Sequence, residues 1–78
     1  MIETKIIFKD SDSQKCFLTK TKGYCGDIII EYGASSYDGK SALSVMNLPK
    51  LIPLKTIFNI GENYKDLAVF RDWLYREV

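Results

Sequence analysis

The chain has 78 residues, of which 46% are hydrophobic and 27% charged. A chain of this length forms a single domain, 1–78, whose small core leaves little room for a buried catalytic cleft. Eleven basic residues against ten acidic ones give a net charge of +1, which provides no field for holding nucleic acid or an anionic membrane. No apolar run approaches the roughly 18 residues of a membrane span. We therefore expect a cytoplasmic protein with no direct nucleic-acid binding and no membrane insertion.

The cysteines are Cys16 and Cys25, and the chain contains no histidine. They form no CxxC pair, so the sequence offers neither a zinc site nor another metal centre. We interpret them as two free cytosolic thiols, with a disulfide as the alternative for a secreted protein. No cofactor is expected.

The first predicted elements are a strand over Ile2–Phe8 and a helix after it. The strand is rich in β-forming residues, and Phe17, Leu18, Thr21 and Tyr24 then follow a helical period. Gly23 or Gly26 ends the helix. Its N-cap is predicted among three polar residues, Ser11, Asp12 and Ser13.

The middle of the chain predicts a β-hairpin and a short helix. The run Asp27–Tyr32 contains three isoleucines, which favours a strand buried at least partly on both faces. A turn at 33–35 then leads into a second strand over Ser36–Asp38. A short helix follows Ser41 and stops at Pro49.

The last predicted elements are a half-buried strand and a helix. After a connector at Pro49–Pro53, the strand 54–60 alternates with period two, and Leu54, Thr56, Phe58 and Ile60 share one face. Asn63 caps a final helix with an apolar stripe at Leu67, Phe70 and Leu74. The order β-α-β-β-α-β-α predicts an α+β fold, a four-stranded antiparallel sheet with three helices on one face.

The segment Tyr24–Leu48 reads YCGDIIIEYGASSYDGKSALSVMNL and resembles HPr, the phosphocarrier family of the bacterial sugar phosphotransferase system. Members of that family carry a motif close to K-S-I-M-G-V-M-S-L, which Lys40–Leu48 matches without a gap. The order of elements extends the resemblance over nearly the whole chain. The resemblance implies an HPr-like open-faced β-sandwich.

The histidine that carries the phosphoryl group in HPr is missing here. In that family it lies in a G-I-H-A-R-P segment at the start of the first helix. Counting back from Tyr24 places Asp10 at the histidine position and Asp12 at the arginine position. We expect these carboxylates to be solvated or to cap the helix, in preference to Asp10 forming an acyl phosphate. We expect no enzymatic activity, because the sequence offers no catalytic pair or phosphate-binding glycine loop.

Ser41 occupies the position at which many HPr proteins are phosphorylated by a serine kinase, and the resemblance implies a role in carbon catabolite control. For this residue by itself, we favour capping without regulation over phosphorylation. The resemblance also implies that Lys40, Ala42, Leu43 and Met46 contact partner proteins, although core packing is the use that we favour for Leu43 and Met46. The implied partners are a serine kinase, a transcription regulator or phosphotransferase components. Ala42 and Ser44 depart from the motif.

The face of the sheet opposite the helices is predicted to present Ile7, Ile29 and Ile57. Such a cluster is an association surface, so we expect a weak homodimer. The leading interpretation of the chain is a histidine-less HPr-related regulatory or adaptor protein. The alternative is an HPr-fold protein-binding module outside the phosphotransferase system.

Overall fold

The computed structural model of the protein describes residues 2–24, 26–59 and 70–74. Within these residues the elements follow one another in the predicted order, β-α-β-β-α-β. They are β1 Ile2–Ile6, α1 Ser11–Thr21, β2 Asp27–Tyr32, β3 Ser35–Asp38, α2 Ala42–Met46 and β4 Leu54–Asn59.

The predicted final helix falls mostly outside the described residues, as do Ile60, Asn63 and Leu67. Residues 70–73 form a single 3₁₀ turn. Leu74 then makes an isolated antiparallel bridge with Ile6 of β1. The described part of the chain thus contains two α-helices and this turn, where the sequence predicts three helices.

The four strands form one antiparallel sheet in the order β1-β4-β2-β3. Phe58 of β4 lies opposite Ile2 of β1 and Ile28 of β2. β4, the last of the four strands in the sequence, therefore lies between β1 and β2. β2 and β3 form a hairpin whose two-residue turn begins at Gly33, with φ 62°. Ser35, predicted in the turn, is the first residue of β3 because a two-residue turn already closes the hairpin.

The core lies between the sheet and the helices. Phe70 is at its centre, and its ring packs against the rings of Phe17, Tyr24, Phe58 and Trp73 at centroid distances of 5.2, 5.5, 5.3 and 6.4 Å. The Tyr24 contact is edge-to-face and the other three are tilted, and aromatic pairs at such distances stabilise a core beyond the area that they bury. The 3₁₀ turn is thereby fixed to α1 and to the sheet.

The sheet is buried on one face only. In β4 the side chains of Leu54, Thr56 and Phe58 are buried, as the period of two predicts. In β2, however, Ile29 is 41% exposed between two buried isoleucines. The expectation that β2 is partly buried on both faces is wrong at Ile29, because no element of the described chain covers the second face of the sheet.

Candidate functional site

Ser41 is the N-cap of α2. Its backbone is extended, with φ −87° and ψ 120°, and its hydroxyl accepts a hydrogen bond from the backbone N–H of Ser44 at 3.4 Å. Its carbonyl accepts a bond from the backbone N–H of Val45 at 2.9 Å, and its own N–H donates to the carbonyl of Asp38 at 3.1 Å. The capping role expected for Ser41 is present, and the hydroxyl is only partly buried.

Lys40 precedes this cap and connects it to the end of α1. Its ammonium donates to the backbone carbonyl of Tyr24 at 2.6 Å and lies 5.6 Å from the centroid of the Tyr24 ring. The carboxylate of Asp38 accepts a bond from the backbone N–H of Lys40 at 2.9 Å. The charge of Lys40 is therefore engaged within the protein, which reduces what it can offer to a partner.

The apolar residues of α2 divide between the core and the surface. Val45 is fully buried and Met46 is half-buried, but Leu43 is 79% exposed. Ala42 is also exposed. The preference for core packing is therefore wrong for Leu43, because the buried side of this one-turn helix is occupied by Val45.

The segment after α2 carries two more exposed apolar side chains, Leu51 and Ile52. Leu51 has a left-handed backbone, with φ 65°, and its N–H donates to the carbonyl of Phe8 at 2.7 Å. We call Leu43, Leu51 and Ile52 the exposed apolar group. The sequence predicts 49–53 only as a connector, although it places two apolar residues between Pro49 and Pro53.

The residues Asp10 and Asp12 lie at the start of α1. Asp10 is the N-cap, and its carboxylate accepts a bond from the backbone N–H of Ser13 at 2.8 Å. Asp12 is exposed in the first turn, where the helix dipole favours an acidic side chain. The predicted cap at Ser11, Asp12 or Ser13 is therefore wrong, because the backbone is still extended at Asp10 and already helical at Ser11.

Side-chain hydrogen bonds connect the first turn of α1 to the segment that follows α2 and to the 3₁₀ turn. The side-chain amide of Gln14, which is fully buried, donates to the carbonyl of Leu48 at 3.0 Å. The indole N–H of Trp73 reaches the carbonyl and hydroxyl of Ser13 at 3.1 and 3.0 Å. The Gln14 bond holds the first turn of α1 against the end of α2, and the Trp73 bonds hold it against the 3₁₀ turn.

The described residues contain no group of three or more histidine, cysteine, aspartate or glutamate side chains placed to hold a metal ion. Cys16 is an exposed free thiol, and Cys25 lies outside the described residues. In this part of the chain no helix has the length and apolar character needed to cross a membrane.

On the open face of the sheet, Ile29 and Ile57 are directly opposite each other on β2 and β4. Ile7 does not join them, because β1 ends at Ile6 and Glu3 is the β1 residue opposite Ile57. The predicted three-residue cluster is therefore a pair.

Comparison with known proteins identifies no relative. No model of a protein family, no curated protein and no solved structure matches the chain.

Proposed function

We propose that the chain is an HPr-related regulatory or adaptor protein of the sugar phosphotransferase system, and that it is not an enzyme. Two features support the proposal: the motif at Lys40–Leu48 and an α+β fold with the first six elements of the order that the resemblance implies. The absence of histidine from the sequence removes the usual phosphoryl acceptor of the family.

The observation that carries the proposal is the exposure of Leu43, 79%, two residues after the capping Ser41. A leucine that is exposed to this degree contributes little to the core, and exposed apolar area is a feature of protein-binding surfaces when several apolar residues contribute to it. Leu51 and Ile52 add apolar area in the segment that follows the same helix. We therefore propose that the exposed apolar group, Leu43, Leu51 and Ile52, binds a partner protein.

Phosphorylation of Ser41 would regulate such a surface by changing its charge. The hydroxyl makes one long capping bond, at 3.4 Å, so its modification removes little from the fold. A phosphate carries about −2 charges at neutral pH and would lie close to Leu43 in sequence and in space. It would convert an apolar contact region into an acidic one and so exchange one protein partner for another.

The second candidate function is protein binding outside the phosphotransferase system. It is favoured by Ala42 and Ser44, which depart from the motif, and by the internal engagement of Lys40 with Tyr24. These three positions lie in the region where a serine kinase would contact the chain. A module that retained the fold but changed its partners would carry such differences.

Incubation of the purified protein with an HPr serine kinase and ATP tests the leading proposal. We expect the intact mass to increase by one phosphate, because the Ser41 hydroxyl is accessible at the start of α2. The increase should disappear in Ser41→Ala and persist in Ser44→Ala, the matched control one helical turn away.

Absence of any mass increase, or an increase that survives in Ser41→Ala, would contradict the assignment of Ser41. The proposed partner binding has a separate test in Leu43→Glu. This exposed substitution should leave the unfolding midpoint unchanged while it abolishes binding to the kinase.

A further inference from the structure

The two edges of the sheet differ. Beyond β1, Leu74 bridges Ile6, and the backbone N–H of Ile7 donates to the carbonyl of Trp73 at 2.8 Å. Beyond β3, at the other edge, no strand of the described chain is paired. The edge formed by Ser35–Asp38 is therefore a row of backbone groups open to another strand.

The hydrogen-bonding pattern identifies which groups of β3 point outward. Gly39 donates to the carbonyl of Ile28 at 2.7 Å, which makes these two residues a hydrogen-bonded pair. Pairs of this type alternate along an antiparallel ladder, so Tyr37 also bonds inward, to Ile30. The N–H and C=O groups of Ser36 and Asp38 consequently face away from the sheet.

Of the features that usually prevent strand association, this edge has two, a length of only four residues and one charged side chain. Residues 35–38 contain no lysine, arginine or proline, and their pairing with β2 is continuous, without a bulge. The only charged side chain is that of Asp38, which folds back onto the N–H of Lys40. A net charge of +1 gives two copies of the chain little mutual repulsion.

We propose that β3 pairs antiparallel with β3 of a second copy of this chain, about a twofold axis at Tyr37. Ser36 of each copy then lies opposite Asp38 of the other, and the outward N–H groups of these residues meet outward C=O groups. The carbonyl of Asp38 already accepts from Ser41 and has a second lone pair for this bond. The result is a continuous sheet through both copies.

The side chains in this register are complementary. Asp38 of one copy lies opposite Ser36 of the other. The two Asp38 carboxylates are therefore not opposite each other, and like charges do not meet across the interface. The two Tyr37 side chains, each half-buried, face each other across the axis in a non-hydrogen-bonded pair, which favours aromatic contact. A second copy satisfies the edge symmetrically, and such twofold interfaces are the commonest in soluble oligomers.

Sedimentation equilibrium from micromolar to millimolar concentration tests the proposal, and we expect a monomer–dimer equilibrium. The register predicts opposite effects of charge at position 36, which faces Asp38 of the other copy. Ser36→Asp should raise the dimer dissociation constant about fivefold, and Ser36→Lys should lower it by a similar factor. Ser36→Ala is the matched control and should change it little, since the backbone groups remain.

A second measurement locates the interface without substitution. In hydrogen exchange, the amides of Ser36 and Asp38 should become slower as concentration rises, while that of Tyr37 stays protected throughout. Ser36→Pro should abolish the dimer, because the lost N–H points outward and proline is tolerated at such an edge. A monomer at all concentrations, or a dimer that responds equally to Ser36→Asp and Ser36→Lys, would overturn the proposal. This inference is independent of the proposed function.

Discussion

At the scale of single residues, leucine is unfavourable at position 51 in two respects. Its φ of 65° lies in the left-handed region, which costs an L-residue about 1–2 kcal/mol, and its side chain is 69% exposed. The bond from its N–H to the carbonyl of Phe8 holds the backbone in place. Neither burial nor backbone preference favours leucine here.

Comparison of glycine and alanine at this position tests the backbone conformation. Glycine tolerates a positive φ and alanine does not, so we expect Leu51→Gly to be more stable than Leu51→Ala by about 1 kcal/mol. At Ile52, whose φ is not positive, the order should reverse, with glycine less stable by about 0.5–1 kcal/mol. Urea unfolding measures both differences, and the same order at both positions would contradict the left-handed backbone.

At the scale of elements, the approach of β2 to β4 depends on Gly26. This residue immediately precedes β2, where Asp27 pairs with Asn59 at the end of β4. A Cβ atom at Gly26 would overlap the backbone carbonyl of Asn59. Because the obstacle is backbone within a ladder, it cannot move without separating the strands.

Gly26→Ala should therefore lower the free energy of unfolding by about 3 kcal/mol, at the upper end of overpacking costs. Gly23→Ala is the control, since the nearest atom to a Cβ there is the Lys20 carbonyl oxygen at 3.9 Å, an ordinary contact. Its effect should stay within about 0.5 kcal/mol. Equal stabilities of the two variants in urea unfolding would show that β2 and β4 are not in close approach at this point.

At the scale of the whole molecule, one ammonium group links three strands of the open face. Nζ of Lys55 on β4 lies 2.8 Å from Oε1 of Glu3 on β1 and 3.5 Å from Oε2 of Glu31 on β2. The hydrogen bond to Glu3, followed by the charges of both carboxylates, raises the pKa of Lys55 above its ordinary value of 10.5. Since the group is exposed, salt screens the effect.

The direction of this shift sets a pH dependence. A pKa raised in the folded state means that Lys55 stabilises the fold fully below its unfolded pKa and loses this contribution as pH rises through the folded value. We expect the protein to lose more stability than Lys55→Met between about pH 9 and about pH 12. The difference in stability loss between the protein and Lys55→Met should be smaller at high salt. Parallel pH profiles, measured as unfolding midpoints, would exclude the ion pairs.

The local elements were predictable because they depend on short-range chemistry. The alternation in β4, the hairpin turn at Gly33 and the capping hydroxyl of Ser41 each follow from a few neighbouring residues. The N-cap of α1 is Asp10, one residue before the predicted positions 11–13. The prediction missed it because several adjacent polar side chains can satisfy the same N–H groups. At the candidate site, the sequence predicted α2 and its Ser41 cap, but the core packing that it favoured for Leu43 is wrong, since this side chain is exposed.

The sequence by itself determined the size, the α+β class and the positions of most elements, since periodicity and turn chemistry act between near neighbours. Tertiary structure alone decided that β4 lies between β1 and β2, that Lys40 binds Tyr24 and that Leu51 takes a left-handed backbone. It also decided that, among the described residues, no strand pairs with the outer edge of β3. These features depend on contacts between residues far apart in the chain, which no local pattern of side chains encodes.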